Sequence, residues 1–145
     1  MKCRYTKYLL WLTLGAIISL VVYTRFFSEN IADNWQHLHH QAHIALHNEK
    51  YEHVIEICDQ AIKVDASSDN RYLMYVKKAK ALNKLHRYEE ALKSAELAVA
   101  IYPKKEEAYL AKVDALFNLG AEEELTATLE EIESIKSHTP LKPLL

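Results

Sequence analysis

Between Tyr72 and Pro103 the apolar residues recur at steps of three and four. Tyr75, Ala79 and Leu82 fall on one helical face, and Tyr88, Ala91, Leu92, Ala95, Ala98, Val99 and Ile101 on another. The spacing predicts two amphipathic helices joined by a short turn and closed by Pro103. Alanines recur where one helix must lie close against the next. One such hairpin cannot bury both of its apolar faces alone, so neighbouring copies are expected.

Two further stretches carry the same pattern. Trp35 to Ala66 superposes at an offset of 37 residues, so that Tyr51 matches Tyr88 while Ala42, Ala61 and Ile62 match Ala79, Ala98 and Val99. Glu106 to Ser137 superposes at an offset of 34, with Tyr109, Val113 and Leu116 matching Tyr75, Ala79 and Leu82. There Leu125, Leu129 and Ile132 stand where the middle copy has Ala91, Ala95 and Ala98. A helix–turn–helix unit repeating every ~34 residues is the pattern of the tetratricopeptide repeat. The chain resembles that family over Trp35 to about Ser137. The middle copy is the strongest match. The first has Ala66 in place of the closing proline and a longer turn around Ser67 to Asn70. The third has Glu122 in place of the aromatic, and reads also as a plain capping hairpin. Helices are predicted at about 34–48, 51–64, 71–85, 88–101, 104–119 and 121–136, with Gly120 as a C-cap. The expected repeat units are 35–68, 72–105 and 106–137. The fold class is therefore all-α: a right-handed, tetratricopeptide-like solenoid of about three hairpins.

The N-terminal stretch breaks the pattern. Residues 1–7 form a basic tail, and the 17 residues Tyr8 to Thr24 carry no charge, with Phe26 and Phe27 extending the apolar run past Arg25. Seventeen residues span ~26 Å as a helix, the short end for a bilayer. Residues 8–27 are read as a transmembrane signal-anchor. Lys7 and Arg25 would snorkel to the headgroups, and the aromatics at either end suit the interfaces. The competing readings are a cleaved signal peptide, which lacks small residues before a cut, and a buried helix. Three positive charges before the span and one after it place the N-terminus in the cytoplasm and the repeats on the periplasmic or extracytoplasmic side. A cytoplasmic-facing repeat domain is the alternative. Ser28 to Asn34 is read as a linker, with Asp33 and Gln36 as a capping box for the first repeat helix. Residues 138–145, with Pro140 and Pro143, are read as an extended tail.

Composition agrees with a helical chain: two glycines, three prolines and half of all residues hydrophobic. No stretch shows strand-like alternation. The net charge of −2 hides a division, because four of the 18 basic residues and one of the 20 acidic ones precede Asn30. The rest, 14 basic against 19 acidic, is near −5, which argues against bulk nucleic-acid binding. Cys3 and Cys58 form no disulfide framework. Cys58 falls on a core face and reads as a small buried residue. Cys3, close to the expected bilayer, is a candidate for lipidation.

Four sets of residues are candidates for function. His37, His39, His40, His43 and His47 crowd one helix, with His39, His43 and His47 at i, i+4, i+8. Such pairs can bind Zn²⁺ or Cu²⁺. No second ligand set accompanies them, so a solvated polar face is the plainer reading. The family resemblance implies a second set, because in tetratricopeptide repeats the first helix of each hairpin lines a concave groove for extended peptides. The matching positions are His39, His40 and His43 in the first copy, Val76, Lys77, Lys80, Asn83 and Lys84 in the second, and Asp114, Phe117 and Asn118 in the third. Glutamates 122–124, 130, 131 and 133 form a third set, read as a polar outer face on a terminal unit. Pro140 and Pro143 make a PxxP too common to carry weight. Nothing groups serine, histidine and acid, and with only Gly15 and Gly120 a phosphate cradle is excluded.

The sequence thus predicts a non-catalytic, membrane-anchored interaction module with no cofactor. It would be an adaptor or assembly factor holding a peptide or partner protein, with an envelope complex as one setting. The alternative is a structural subunit packed permanently into a membrane complex or homodimer, for which Leu73, Val76, Leu110 and Phe117 offer apolar surface. A histidine-based metal-responsive protein is the third reading.

Overall fold

A computed structural model describes residues 2–64 and 67–138; the side chains of residues 2–12, 27, 32 and 138 lie outside that description. It contains six helices: α1 (Lys2–His47), α2 (Tyr51–Val64), α3 (Ser68–Lys84), α4 (Tyr88–Ile101), α5 (Glu106–Leu119) and α6 (Glu122–His138). They pack in sequence, each against the next, and α1, α3 and α5 also touch in order. The result is three stacked hairpins, the tetratricopeptide-like solenoid that the periodicity predicts.

The alanines explain how the hairpins stack. Ala79, Ala95 and Ala111 from α3, α4 and α5 meet in one buried cluster. Above it Tyr72, Val76, Ala98 and Ala108 form a second, and below it Leu82, Ala91 and Ala115 a third. Without side chains beyond Cβ at the contact, the three helices approach closely. The first hairpin is filled by larger groups: Leu38, Val54, Ile57, Cys58 and Met74, around Ala42, Ala45, Ala61 and Ala81. Fully burying one such aliphatic side chain contributes about 1.5–3 kcal/mol.

Each hairpin turns through a left-handed residue at the same place in the repeat: Glu49 (φ 58), His86 (φ 59) and Gly120 (φ 72). A helix end in this conformation satisfies its last carbonyls without a long loop. Lys50 N–H donates to Ala45 O at 2.9 Å, Arg87 N–H to Leu82 O at 2.9 Å, and Ala121 N–H to Leu116 O at 3.1 Å. The expected long turn at Ser67 to Asn70 is replaced by helix, since α3 begins at Ser68. Asp69 sits in its first turn, where a carboxylate complements the helix dipole. It accepts a hydrogen bond from the Tyr102 hydroxyl at 2.5 Å. Tyr102 in turn meets Tyr72 edge-on at 5.4 Å, with the Lys105 ammonium over both rings.

Two N-terminal expectations are corrected. No linker separates residues 28–34 from the first repeat, because α1 runs unbroken for 46 residues. No glycine or proline lies between Ala16 and Tyr102 to stop it. The polar residues of the supposed linker bond back along the helix: Ser28 Oγ to Arg25 O at 2.8 Å and Asn30 Nδ2 to Phe26 O at 3.0 Å. Asp33 and Gln36 therefore cap nothing, being interior to α1. The transmembrane span is also overturned, for among the described residues no helix is long and apolar enough to cross a membrane. Arg25 and Glu29 face each other at 4.0 Å one turn apart. The topology drawn from that span, with the N-terminus cytoplasmic and the repeats periplasmic, goes with it. The positions Tyr8 to Leu12, the lipidation candidate Cys3 and the tail 139–145 fall outside the described side chains.

Candidate functional site

The inner helices α1, α3 and α5 share one side of the solenoid, and a cavity of about 500 Å³ opens between them. It is lined by Leu46 from α1, Tyr51 at the start of α2, Lys80, Asn83 and Lys84 from α3, and Asp114 and Asn118 from α5. Lys80, Lys84 and Asn83 share a stripe because they stand three and four residues apart on α3. The same spacing pairs Asp114 with Asn118, whose side-chain amide donates to the Asp114 carbonyl at 2.7 Å.

Two contacts fix α3 against α5 beneath this floor. Asn83 Nδ2 donates to Ala111 O at 2.9 Å, and Lys80 Nζ lies 2.6 Å from Glu107 Oε1. Asn83 Oδ1 is buried and accepts no hydrogen bond from another side chain or backbone group. A buried acceptor left without a donor costs about 1–3 kcal/mol. Lys84 and Asp114 are exposed, and neither has an ion-pair partner among the described residues. The cavity thus offers a free ammonium and a free carboxylate.

Five of the eleven groove residues expected from the sequence therefore line this cavity: Lys80, Asn83, Lys84, Asp114 and Asn118. Val76 does not, being 2% exposed and packed on Ala98 and Ala108. Phe117 stands outside the lining and is 72% exposed. Lys77 is half-buried, and burial lowers its ammonium below the usual lysine range. His39 stacks on Trp35 with ring centroids 4.9 Å apart. Burial first, then the charges of Lys77, His43 and His40, lower its pKa from 6.5. His40 and His43 are exposed on α1 away from the cavity lining. Leu46 and Tyr51 belong to the lining and went unnamed as groove residues. Leu46 falls seven residues after His39 and three after His43, the spacing that would have found it.

The histidine stripe does not assemble a metal set. Among the described residues no three His, Cys, Asp or Glu side chains are placed to hold an ion. Successive turns separate His39, His43 and His47 by a rise of ~6 Å each, too far for three to share one centre. Cys58 is fully buried as a free thiol, and burial pushes its pKa up to about 12.

No family model matches the chain. Over 90 residues, 62% of its length, it is 30% identical to the STIP1 homolog of Dictyostelium discoideum. It spans about 15% of the length of that curated relative. Among solved structures it resembles the first tetratricopeptide domain of Spaghetti (RPAP3), bound to the HSP90 peptide SRMEEVD. The TM-score is 0.65 at 19% identity, covering 74% of this chain and 85% of the other. It also resembles a TPR-like protein from Chlorobium tepidum, with TM-score 0.65 at 16% identity, covering 78% and 85%. These likenesses identify the fold as tetratricopeptide-like.

Proposed function

We propose that this chain is a non-catalytic protein-interaction module that holds an extended peptide, or an extended segment of a partner protein, across the inner side of its solenoid. The observation that carries the reading is the open cavity between α1, α3 and α5, into which Lys84 and Asp114 bring charges with no ion-pair partner among the described residues. Lys84 adds a free ammonium for an acidic side chain or a terminal carboxylate. A neighbour of the same fold that binds an HSP90 peptide supports the reading. No constellation for bond-making chemistry accompanies the cavity, which is open rather than enclosed.

The test is fluorescence anisotropy with labelled SRMEEVD on the wild type and on Lys84→Glu. Lys84 is exposed and has no carboxylate to lose, so the substitution leaves the fold intact. Binding weakened at least tenfold is expected. Equal binding by both proteins places the contact elsewhere. A structural subunit is the second reading, favoured by Leu110 and Phe117, which stand 49% and 72% exposed seven residues apart on α5. Size-exclusion chromatography with light scattering at micromolar concentration, showing a stable homodimer, would advance that reading.

A further inference from the structure

The charges around the cavity are arranged unevenly, and the unevenness carries information about the occupant. Lys80 is neutralised by Glu107 at 2.6 Å. Lys84 on the α3 wall and Asp114 on the α5 wall are not neutralised, by each other or by any other described charge. Two opposite charges lining one cavity gain most from a ligand that carries both signs. A purely acidic ligand would meet Lys84 but set its carboxylates against Asp114, and like charges at close range are penalised.

We propose that the cavity selects extended segments bearing a basic side chain and an acidic side chain two positions apart, the basic one toward Asp114 and the acidic one toward Lys84. Specificity would then depend on Asp114 as much as on the lysines. This rests on the peptide-binding reading above. The geometry suits the spacing. In an extended chain, residues i and i+2 point to the same side and stand ~6.6 Å apart. A cavity of about 500 Å³ is ~10 Å across if taken as a sphere, enough for one such pair.

The peptide SRMEEVD has arginine and glutamate at this spacing, which makes it a probe for the idea. Its binding would be compared with that of SAMEEVD and SRMAAVD on the wild type, Asp114→Ala and Lys84→Ala. Both replaced side chains are exposed, and circular dichroism melts check that the variants stay folded. On the wild type SAMEEVD is expected to bind about fivefold more weakly than SRMEEVD. Asp114→Ala is expected to bind the two alike while still discriminating against SRMAAVD, and Lys84→Ala to show the converse. If SAMEEVD binds the wild type as tightly as SRMEEVD, or Asp114→Ala keeps the difference, the dipolar selection is overturned and the groove reading stands. If none of the three peptides binds the wild type, the groove reading falls and the selection with it.

Discussion

The three hairpins turn through left-handed residues at equivalent places, but only one of those residues is glycine, and the mismatch yields opposite predictions at two sites. Gly120 has φ 72, and a Cβ built there meets nothing within 4 Å. Gly120→Ala therefore creates no clash, and its whole cost is conformational. A left-handed L-residue costs roughly 1–2 kcal/mol. The stiffer unfolded chain returns about 0.4–1 kcal/mol. The net loss should be about 0.5–1 kcal/mol. Glu49 occupies the matching position with φ 58 and is exposed, with no side-chain partner among the described residues. Glu49→Gly should reverse the sum and stabilise by about 0.5–1 kcal/mol. His86 has the same backbone but its ring meets the Tyr88 hydroxyl at 2.5 Å, so His86→Gly should come out near neutral. Urea unfolding followed by far-ultraviolet circular dichroism measures all three, and at this chain length each kcal/mol moves the melting temperature by about 2–4 °C. A lower midpoint for Glu49→Gly, or a higher one for Gly120→Ala, at unchanged slope, would refute the argument from backbone conformation.

Ala95 is fully buried between α3 and α5, so Ala95→Leu should destabilise by about 1–3 kcal/mol or more, read by the same denaturation. Leu129 matches Ala95 in the third hairpin yet is 46% exposed, and Leu129→Ala should cost under about 1 kcal/mol. Cys58, its thiol pushed up to about 12, should stay silent toward a disulfide reagent at pH 8 until denaturant is added. Prompt labelling would show that the first hairpin opens. His39 has a folded-state pKa below 6.5, so the unfolded chain binds its proton more readily. Stability should therefore fall as the pH drops below 6.5 and level off below the folded value. His39→Gln should flatten that slope in melts across pH 7.5–5, and an unchanged slope would assign it to other groups.

The repeat was legible because a stacked helix leaves a coded trace: small residues where backbones meet, at intervals the helical period dictates. Ala79, Ala91, Ala95 and Ala98 are contact points themselves, so reading them was reading the packing, whereas their partners on α5, Ala108, Ala111 and Ala115, went unnamed. The boundaries of α1 were not legible. Nothing in Ser28 to Asn34 breaks a helix, and polar composition alone suggested a linker. Those side chains simply bond back to the carbonyls of their own helix. The apolar run before Arg25 suggested a span, and among the described residues no helix is long and apolar enough to be one. The third hairpin was matched position for position, yet α6 is the last described helix and packs against α5 alone. Thr128 is buried there beside Ile132, and Leu129, the counterpart of a doubly packed alanine, turns outward.

Part of the cavity lining was legible as residue types, and none of it as a set of charges. Family matching named Lys80, Asn83, Lys84, Asp114 and Asn118, and helical spacing alone puts them on two facing stripes. It could not show that Lys80 is consumed by Glu107, 27 residues away on the neighbouring helix, while Lys84 stays free. Nor could it separate Val76 from Lys77, adjacent positions that α3 sends one into the core and the other toward α1. That difference decides what the cavity can hold. Counted from the sequence, the expected groove positions of α3 offer three lysines and argue for a strongly acidic ligand. In the folded chain one lysine is paired, one is half-buried beside His39, and the third shares a cavity with an unpaired aspartate. The field around Lys84 and Asp114 is then nearly neutral in sum and strongly polar in direction, and on the proposed reading such a site would select by the order of charges along a chain rather than by their total.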